Sequence, residues 1–350
     1  MARDPQAALV ALNRFGFGAR GGASGDFTNA ASDPRGFVAA ELQRPAAALI
    51  ESPALQPISV LASELFAFQA EQKAKREADA KVAAAKTAMA SQEPAAMMGK
   101  AAPSATTPRP PKPAPNVIER TFRAEALARI QRASIAECGF LERLVTFWSN
   151  HFCISVSKGQ PARIWAGAFE REAIRPHVLG HFADMLKAVE QHPAMLFFLD
   201  NQQSIGPNSR VGQRGKRGLN ENLAREIMEL HTLGVGGGYT QADVVALAKI
   251  LTGWTYAGRQ ARLGAPGSFI FNVNAHEPGA IVLLGKSYAD NNAAQGEVAL
   301  ADIARRPATA TFIATKLVRH FVADDPPPAL VTHLADVFRK TDGDLRAVSH

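Results

Sequence analysis

The sequence is poor in cysteine, tryptophan and tyrosine. Among its 350 residues there are 2 Cys, 3 Trp and 3 Tyr, against 19 Phe. The two thiols, Cys138 and Cys153, could pair with each other, but they form no disulfide framework and fit a reducing compartment at least as well. The few Trp and Tyr argue against an aromatic carbohydrate-binding platform, whereas many Phe suit buried helix interfaces.

The sequence also lacks a membrane-spanning stretch of roughly eighteen apolar residues. Its start, Met-Ala-Arg-Asp-Pro-Gln, lacks the basic and then apolar profile of a secretory signal. We therefore expect no membrane span and a cytoplasmic chain as written, or a periplasmic or secreted one if an N-terminal signal was removed. The net charge of +7 is spread along the chain, which argues against a nucleic-acid partner.

The composition of 47% hydrophobic and 20% charged residues is typical of a packed globule. Residues 58–90 are rich in Ala, Glu, Lys and Gln and predict a long helix whose second half projects from the body. Residues 91–117 contain seven prolines and few large apolar residues, which predicts a disordered insertion. The domains expected are an N-terminal helical segment at 1–90, packed on a main helical domain at 118–350.

Most of the remaining chain has helical periodicity. Residues 269–273 and 280–284 instead read as short strands on either side of His-Glu-Pro-Gly, and we expect them to form a single hairpin. The fold class predicted is mainly α: a multi-helix globular domain with one small β-hairpin and a long projecting Ala/Lys/Glu helix.

The stretch from Asn220 to Gly234 is the strongest candidate for chemistry, because charged and apolar residues alternate closely along it. Asn220 is the expected N-cap, and Gly234 is the expected left-handed end. At 100° per residue, two arcs separate. The polar arc contains Asn222, Arg225, Glu226 and Glu229, and the arc expected in the core contains Leu223, Ile227 and Leu230.

The polar arc supports two chemical hypotheses. Glu226 and Glu229, with Arg225, could act as a catalytic acid–base pair. Alternatively, the two carboxylates could join histidine ligands to hold a divalent metal such as zinc, iron or manganese. The histidines that we consider as ligands are His151, His192 and His276.

A structural interpretation competes with both hypotheses. Arg225 could bond Glu221 and Glu229 at i−4 and i+4, which would form a ladder that only fixes helix packing. His231 lies on the apolar side of the same helix and is expected to be a core residue with satisfied hydrogen bonds.

The loop before this helix, residues 201–218, is rich in glycine and basic residues. Arg214 and Arg217 could hold an anionic substrate together with Asn222 at the start of the helix. The alternative is a mobile, solvated loop, which the glycines also favour.

Several phrases of the sequence together resemble one bacterial family, known as domain of unknown function 1800. The likeness runs from about residue 120 to 349 and includes an N-terminal phrase. The matching phrases are Leu-Asn-Arg-Phe-Gly-Phe-Gly at 12–18, Phe-Trp-Ser-Asn-His-Phe at 147–152, His-Pro-Ala-Met-Leu at 192–196, Asn-Glu-Asn-Leu-Ala-Arg-Glu at 220–226, Glu-Leu-His-Thr-Leu-Gly at 229–234, Tyr-Thr-Gln-Ala-Asp-Val at 239–244, Leu-Thr-Gly-Trp at 251–254, His-Glu-Pro-Gly at 276–279 and Arg-His-Phe-Val-Ala-Asp-Asp-Pro-Pro at 319–327.

The resemblance implies a helical bacterial protein without an established activity. Members usually carry His where this chain has Ser149, which weakens a metal site at that motif. They also continue past the position of His350, so a C-terminal piece of the domain is expected outside this sequence. Many members look exported and are encoded beside a sulfatase-like family, which implies a protein partner of that kind.

Two functions are therefore expected as alternatives. The first is a metal-assisted or carboxylate-based hydrolytic enzyme that uses Glu226 and Glu229. The second is a non-catalytic binding or assembly protein whose helical body presents a groove to a protein partner, with the long helix and the Pro-rich segment as an arm.

Overall fold

The computed structural model describes residues 4–18, 26–90, 114–215 and 218–350. The protein is mainly α-helical, as predicted. The helices are α1 (Pro5–Val10), α2 (Asp26–Ser32), α3 (Pro34–Leu42), α4 (Ile58–Ala90), α5 (Val117–Ile135), α6 (Phe140–His151), α7 (Gln160–Phe169), α8 (Phe182–Gln191), α9 (Pro193–Phe198), α10 (Asn222–Glu226), α11 (Gln241–Ile250), α12 (Ala293–Ala304), α13 (Pro307–Phe321), α14 (Pro328–Lys340) and α15 (Leu345–Ser349).

Three segments continue a helix in the wider π-helical geometry. They follow α1, α7 and α10 and span Ala11–Phe15, Glu170–Ile174 and Ile227–Thr232. Such segments are rare and shift the side chains that follow them around the helix axis. The third segment lies inside the stretch that the sequence marks for chemistry.

Capping residues explain where several helices begin. Asp33 accepts the Gly36 N–H at 3.0 Å ahead of α3, and α11 has a full capping box between Thr240 and Asp243. Asn116 caps α5, so this helix begins at Val117, the last residue of the predicted insertion. Residues 91–113 of that insertion lie outside the described residues.

The long helix α4 has the predicted bounds. Its first turns contribute Leu61 and Leu65 to the core, and both are at most 1% exposed. Beyond residue 71 nearly all side chains are exposed, because Ala, Lys and Glu offer no continuous apolar face. The projecting half of the predicted helix is therefore present.

The strands form two small antiparallel sheets. β1 (Trp254–Tyr256) pairs with β2 (Phe269–Phe271), and β3 (Ile281–Leu283) pairs with β4 (Lys286–Tyr288). The predicted pairing of the two strands around His-Glu-Pro-Gly was wrong. Each takes another partner, because a tight turn at Leu284 and Gly285, both at positive φ, folds β4 directly back on β3.

One core joins α3 and α4 to the main body, whereas α1 and α2 pack in a separate small cluster. Leu42 of α3, Leu61 and Leu65 of α4, and residues of α6 through α15 belong to a single buried cluster. Its largest fully buried side chains include Trp148, Trp165 and Trp254, which places all three tryptophans in the interior.

A buried ionic cluster crosses this core. Arg175, whose side chain is 0% exposed, donates to both carboxylate oxygens of Glu142 at 2.8 and 3.0 Å, to Glu170 at 2.9 Å and to the Ala48 carbonyl at 2.7 Å. Ser149 also donates to Glu170, at 3.1 Å. Although burial lowers it, the pKa of Arg175 is raised overall by its hydrogen bonds and ion pairs with Glu142 and Glu170.

A second buried carboxylate holds α3 against the start of α6. Glu41 accepts the backbone N–H groups of Cys138, Gly139 and Leu141, each at 3.0 Å. The N-terminus of α6 thus receives an anion from another helix.

The two cysteines form no disulfide: Cys138 is buried and Cys153 is exposed. In the four described ranges, no helix has both the length and the apolar character needed to cross a membrane.

Candidate functional site

The stretch at 220–234 forms α10 and the π-helical segment after it. Asn220 accepts the Asn222 N–H at 2.9 Å, but the N-cap of α10 is Glu221, whose side chain makes no capping bond, so the predicted N-cap is displaced by one residue. Gly234 ends the segment at φ +79°, as predicted. Leu223 and Ile227 are buried, but Leu230 is 47% exposed, so its predicted place in the core was wrong. The wider π-helical turn explains this, because stepping by 100° per residue fails beyond Glu226.

The predicted ladder is only half formed. Arg225 donates to Glu221 at 2.9 Å and to Gln241 of α11 at 2.9 Å. Gln241 in turn donates to Glu221 at 2.7 Å. Glu229 takes no part in it, since the π-helical geometry rotates its side chain away from Arg225. Arg225 therefore joins α10 to α11.

Glu226 and Glu229 are both half-buried. Over the ranges that the structure covers, neither carboxylate has a hydrogen bond or a salt bridge. Both carboxylates lie close enough to Tyr239 to affect it: burial raises the pKa of this phenol, and the charge of Glu229 raises it further. The two side chains thus remain available for a ligand.

His151 is buried beneath the π-helical segment. Its Nε2 lies 3.0 Å from the carbonyl oxygen of His231, which can only accept, so Nε2 carries the proton. Its Nδ1 is buried without a hydrogen-bond partner. Burial holds the pKa of His151 well below its usual value, and the charge of Lys316 lowers it further.

His231 is a core residue, as predicted. It is 4% exposed, and its Nδ1 lies 2.8 Å from Glu190, whose side chain is fully buried. The sequence analysis missed Glu190 as a partner. The helical spacing of Glu190 relative to Met185 and Leu186 indicates that it is buried on α8. The spacing does not identify His231 as its hydrogen-bond partner.

His192 and His276 lie in two other surroundings. His192 caps α9 by accepting the Ala194 N–H at 3.2 Å, and its Nε2 lies 3.7 Å from Glu172. Burial lowers the pKa of His192, and the hydrogen bond and charge of Glu172 offset this lowering only in part. The ring of His276 lies 2.9 Å from the Thr252 carbonyl.

The structure therefore does not assemble the predicted metal ligands. His151, His192 and His276 each have different neighbours, and none of them contacts Glu226 or Glu229. Within the described ranges, no group of three or more His, Cys, Asp or Glu side chains could hold a metal ion. The physical reason is that neighbouring backbone groups already hold each ring. His151 bonds the His231 carbonyl, His276 bonds the Thr252 carbonyl, and His192 accepts the Ala194 N–H at the start of α9.

The two described residues of the predicted anion site, Arg214 and Asn222, are exposed to solvent. The described contacts of Arg214 include no salt bridge. Arg217 lies outside the described residues. The loop is instead fixed at Asn208, which donates to the buried Glu277 from its backbone at 2.9 Å and from its amide at 2.6 Å.

A concave feature lies on another part of the described surface. It is a groove of about 860 Å³ between α1, the π-helical segment after it, α3 and α6, and Ser349 and His350 also line it. Its apolar lining comes from Val10, Phe15, Val38, Leu42 and Phe140. We call it the N-terminal groove.

The N-terminal groove has a polar rim, since Asp4, Gln6, Arg35 and His350 line it and are exposed. Phe15 and Phe140, which make an edge-to-face contact at 5.4 Å, also line a neighbouring apolar cavity of about 150 Å³ bordered by α13, α14 and α15. The sequence analysis did not single out this surface, because α1 and α3 are each too short to show a clear apolar face.

No curated protein and no solved structure matches the chain. Residues 10–350 match the family described as "Protein of unknown function (DUF1800)". This match covers nearly the whole sequence, and the chain therefore belongs to that family.

Proposed function

We propose that this protein is a non-catalytic binding or assembly protein, and that the N-terminal groove receives an apolar segment of a protein partner. The groove itself is the observation on which the proposal rests. At about 860 Å³ it falls in the size range of binding sites, and its walls are mainly apolar.

Exposed apolar residues in and around α1 favour a protein over a small molecule. Val10, which lines the groove, is 46% exposed, and Leu9 and Phe17, which are near it in the sequence, are 41% and 54% exposed. Small-molecule sites enclose most of their ligand, whereas exposed apolar side chains suit a larger surface. The polar rim of Asp4, Gln6 and Arg35 fits the usual arrangement of a protein interface around an apolar centre.

A sulfatase-like protein from the same bacterium is the partner that we propose to test first, following the family resemblance. The purified chain serves as bait. Val10→Asp places a charge in the groove, and Ala39→Trp fills it; the matched control is Val298→Asp, on α12, where the valine is 49% exposed. Because Val10 is exposed, its replacement should leave the fold intact.

We expect the wild type and the control to retain the partner, and both groove variants to lose it. A partner that both groove variants retain, or that the wild type does not bind, would reject the proposal. A small apolar molecule that co-purifies and is lost in Ala39→Trp would replace the protein partner with a small ligand.

The hydrolytic hypothesis has one observation in its favour, the half-buried pair Glu226 and Glu229 without salt bridges. It lacks a group of metal ligands in the described part of the chain. We rank it second for that reason, and the paired substitution given in the Discussion tests it.

A further inference from the structure

A buried corner joins the loop between β2 and β3 to the start of α12. His276 and Gly279 belong to the loop, while Asp290 precedes α12 and Gln295 lies in its first turn. His276 is 4% exposed and Gln295 is 2% exposed. The side chain of Asp290 is 37% exposed, so the corner reaches solvent on this side.

The hydrogen bonds of His276 determine which of its nitrogens has a lone pair. Its Nδ1 lies 2.9 Å from the Thr252 carbonyl oxygen, which can only accept. The Nδ1 atom therefore carries a proton, and in the neutral ring Nε2 is an acceptor. This Nε2 is buried and has no hydrogen-bond partner.

A second acceptor faces this nitrogen. Oδ1 of Asp290 lies 3.6 Å from Nε2. The other oxygen of Asp290 accepts the Gly279 N–H at 3.0 Å, and Oδ1 itself accepts the Asn292 N–H at 3.4 Å. An aspartate is ordinarily ionised at neutral pH, so Oδ1 and Nε2 of the neutral ring are two acceptors that face each other.

The distance between these two atoms fits a bridging ion better than a direct bond. A charge-assisted hydrogen bond from a protonated ring would be about 2.7–2.9 Å long. Two ligands that are each about 2.1 Å from a tetrahedral ion lie about 3.4 Å apart. The 3.6 Å between Nε2 and Oδ1 is close to the second value.

A third acceptor belongs to the same corner. The amide nitrogen of Gln295 donates to the carbonyls of Gly279 at 3.2 Å and Tyr288 at 3.0 Å. Both partners can only accept, so the orientation of the amide is fixed. Its Oε1 is buried and has no hydrogen-bond partner.

We propose that His276 and Asp290 bind a divalent transition-metal cation. The Nδ1–H bond from His276 to a backbone carbonyl is the arrangement that orients metal-binding histidines. One imidazole nitrogen and one carboxylate oxygen suit zinc or manganese. His276 and Asp290 are only two such side chains. The pair is therefore compatible with the absence, in the described ranges, of groups of three or more His, Cys, Asp or Glu side chains.

The cation would have a structural role that is independent of the N-terminal groove. It would fix the loop between β2 and β3 to α12, where Gly279 already bonds both Asp290 and Gln295. The cation does not involve Glu226 or Glu229, which distinguishes this site from the catalytic metal predicted from the sequence.

Zinc titration of the full chain after chelator treatment tests the proposal. Isothermal titration calorimetry should give one site, and zinc should raise the melting temperature. His276→Gln and Asp290→Asn should each weaken zinc binding more than about tenfold. The controls His333→Gln and Asp325→Asn, which change exposed residues of the same types, should bind zinc like the wild type.

Either of two results would overturn the proposal. One is that the wild type binds no zinc, and the other is that Asp290→Asn binds zinc as tightly as its control. Because Asp290 is partly exposed, its variant keeps the test valid even if His276→Gln does not fold. Nuclear magnetic resonance of the His276 ring adds a second readout. A ring that is protonated on both nitrogens and unaffected by zinc would show that His276 and Asp290 form only an ion pair.

Discussion

Removal of the Arg175 guanidinium should destabilise the fold strongly. Arg175 makes four hydrogen bonds, two of them to Glu142, one to Glu170 and one to the Ala48 carbonyl. In Arg175→Met the aliphatic stem remains, but Glu142 and Glu170 lose their one fully buried counter-charge. Only partly exposed cations remain beside them: Arg132 at 3.8 Å from Glu142 and Arg129 at 2.8 Å from Glu170. Breaking a buried ion pair from one side costs about 3–5 kcal/mol, because the charge that is left behind remains desolvated.

This cost is large compared with a total stability of about 5–15 kcal/mol. The four bonds are not counted separately, because they act as one unit and their energies are not additive. The control is Arg305→Met. Arg305 also forms two bonds to a carboxylate, Asp342, at 2.7 and 2.9 Å, but both side chains are about half exposed. Exposed pairs of this kind contribute about 0–1 kcal/mol.

Urea unfolding, followed by circular dichroism, measures both variants. We expect the free energy of unfolding to fall several times more in Arg175→Met than in Arg305→Met. A third variant, Arg175→Met with Glu142→Gln and Glu170→Gln, should recover part of the loss, since the two buried carboxylate charges are removed together with Arg175. Equal, small effects in both single variants would refute the reasoning, and so would a triple variant less stable than Arg175→Met.

Three further outcomes are expected. Because burial lowers the pKa of His151 in the folded state, the unfolded chain binds the extra proton first; stability should therefore fall as the pH drops below about 6.5, and His151→Gln should flatten this slope in melting experiments. Gly234→Ala should lower the melting temperature, because Gly234 has φ +79° and a Cβ would lie 2.7 Å from a ring carbon of α13, whereas Gly236→Ala, with open space around it, should not. Glu226→Gln with Glu229→Gln should leave partner capture and zinc binding unchanged; loss of a hydrolytic activity or of bound metal would instead support the enzyme hypothesis.

The sequence by itself determined the helical character of the protein and the bounds of its long helix. Residues 58–90 form α4 because Ala, Glu and Lys favour a helix in nearly any surroundings. The same holds for the end at Gly234 and the core position of His231, which depend on neighbours within a few residues. The family, too, was recognisable from the order of short phrases.

Only the tertiary structure decided which side chains meet. The π-helical segment at Ile227–Thr232 exposes Leu230 and separates Glu229 from Arg225. No local sequence pattern predicted that the helix would change to this geometry. The strand partners, the pairing of Glu190 with His231, and the separation of His151, His192 and His276 all depend on contacts between residues far apart in sequence. The N-terminal groove likewise arises where α1, α3 and α6 pack, because a concave surface belongs to an arrangement of helices and to no single helix.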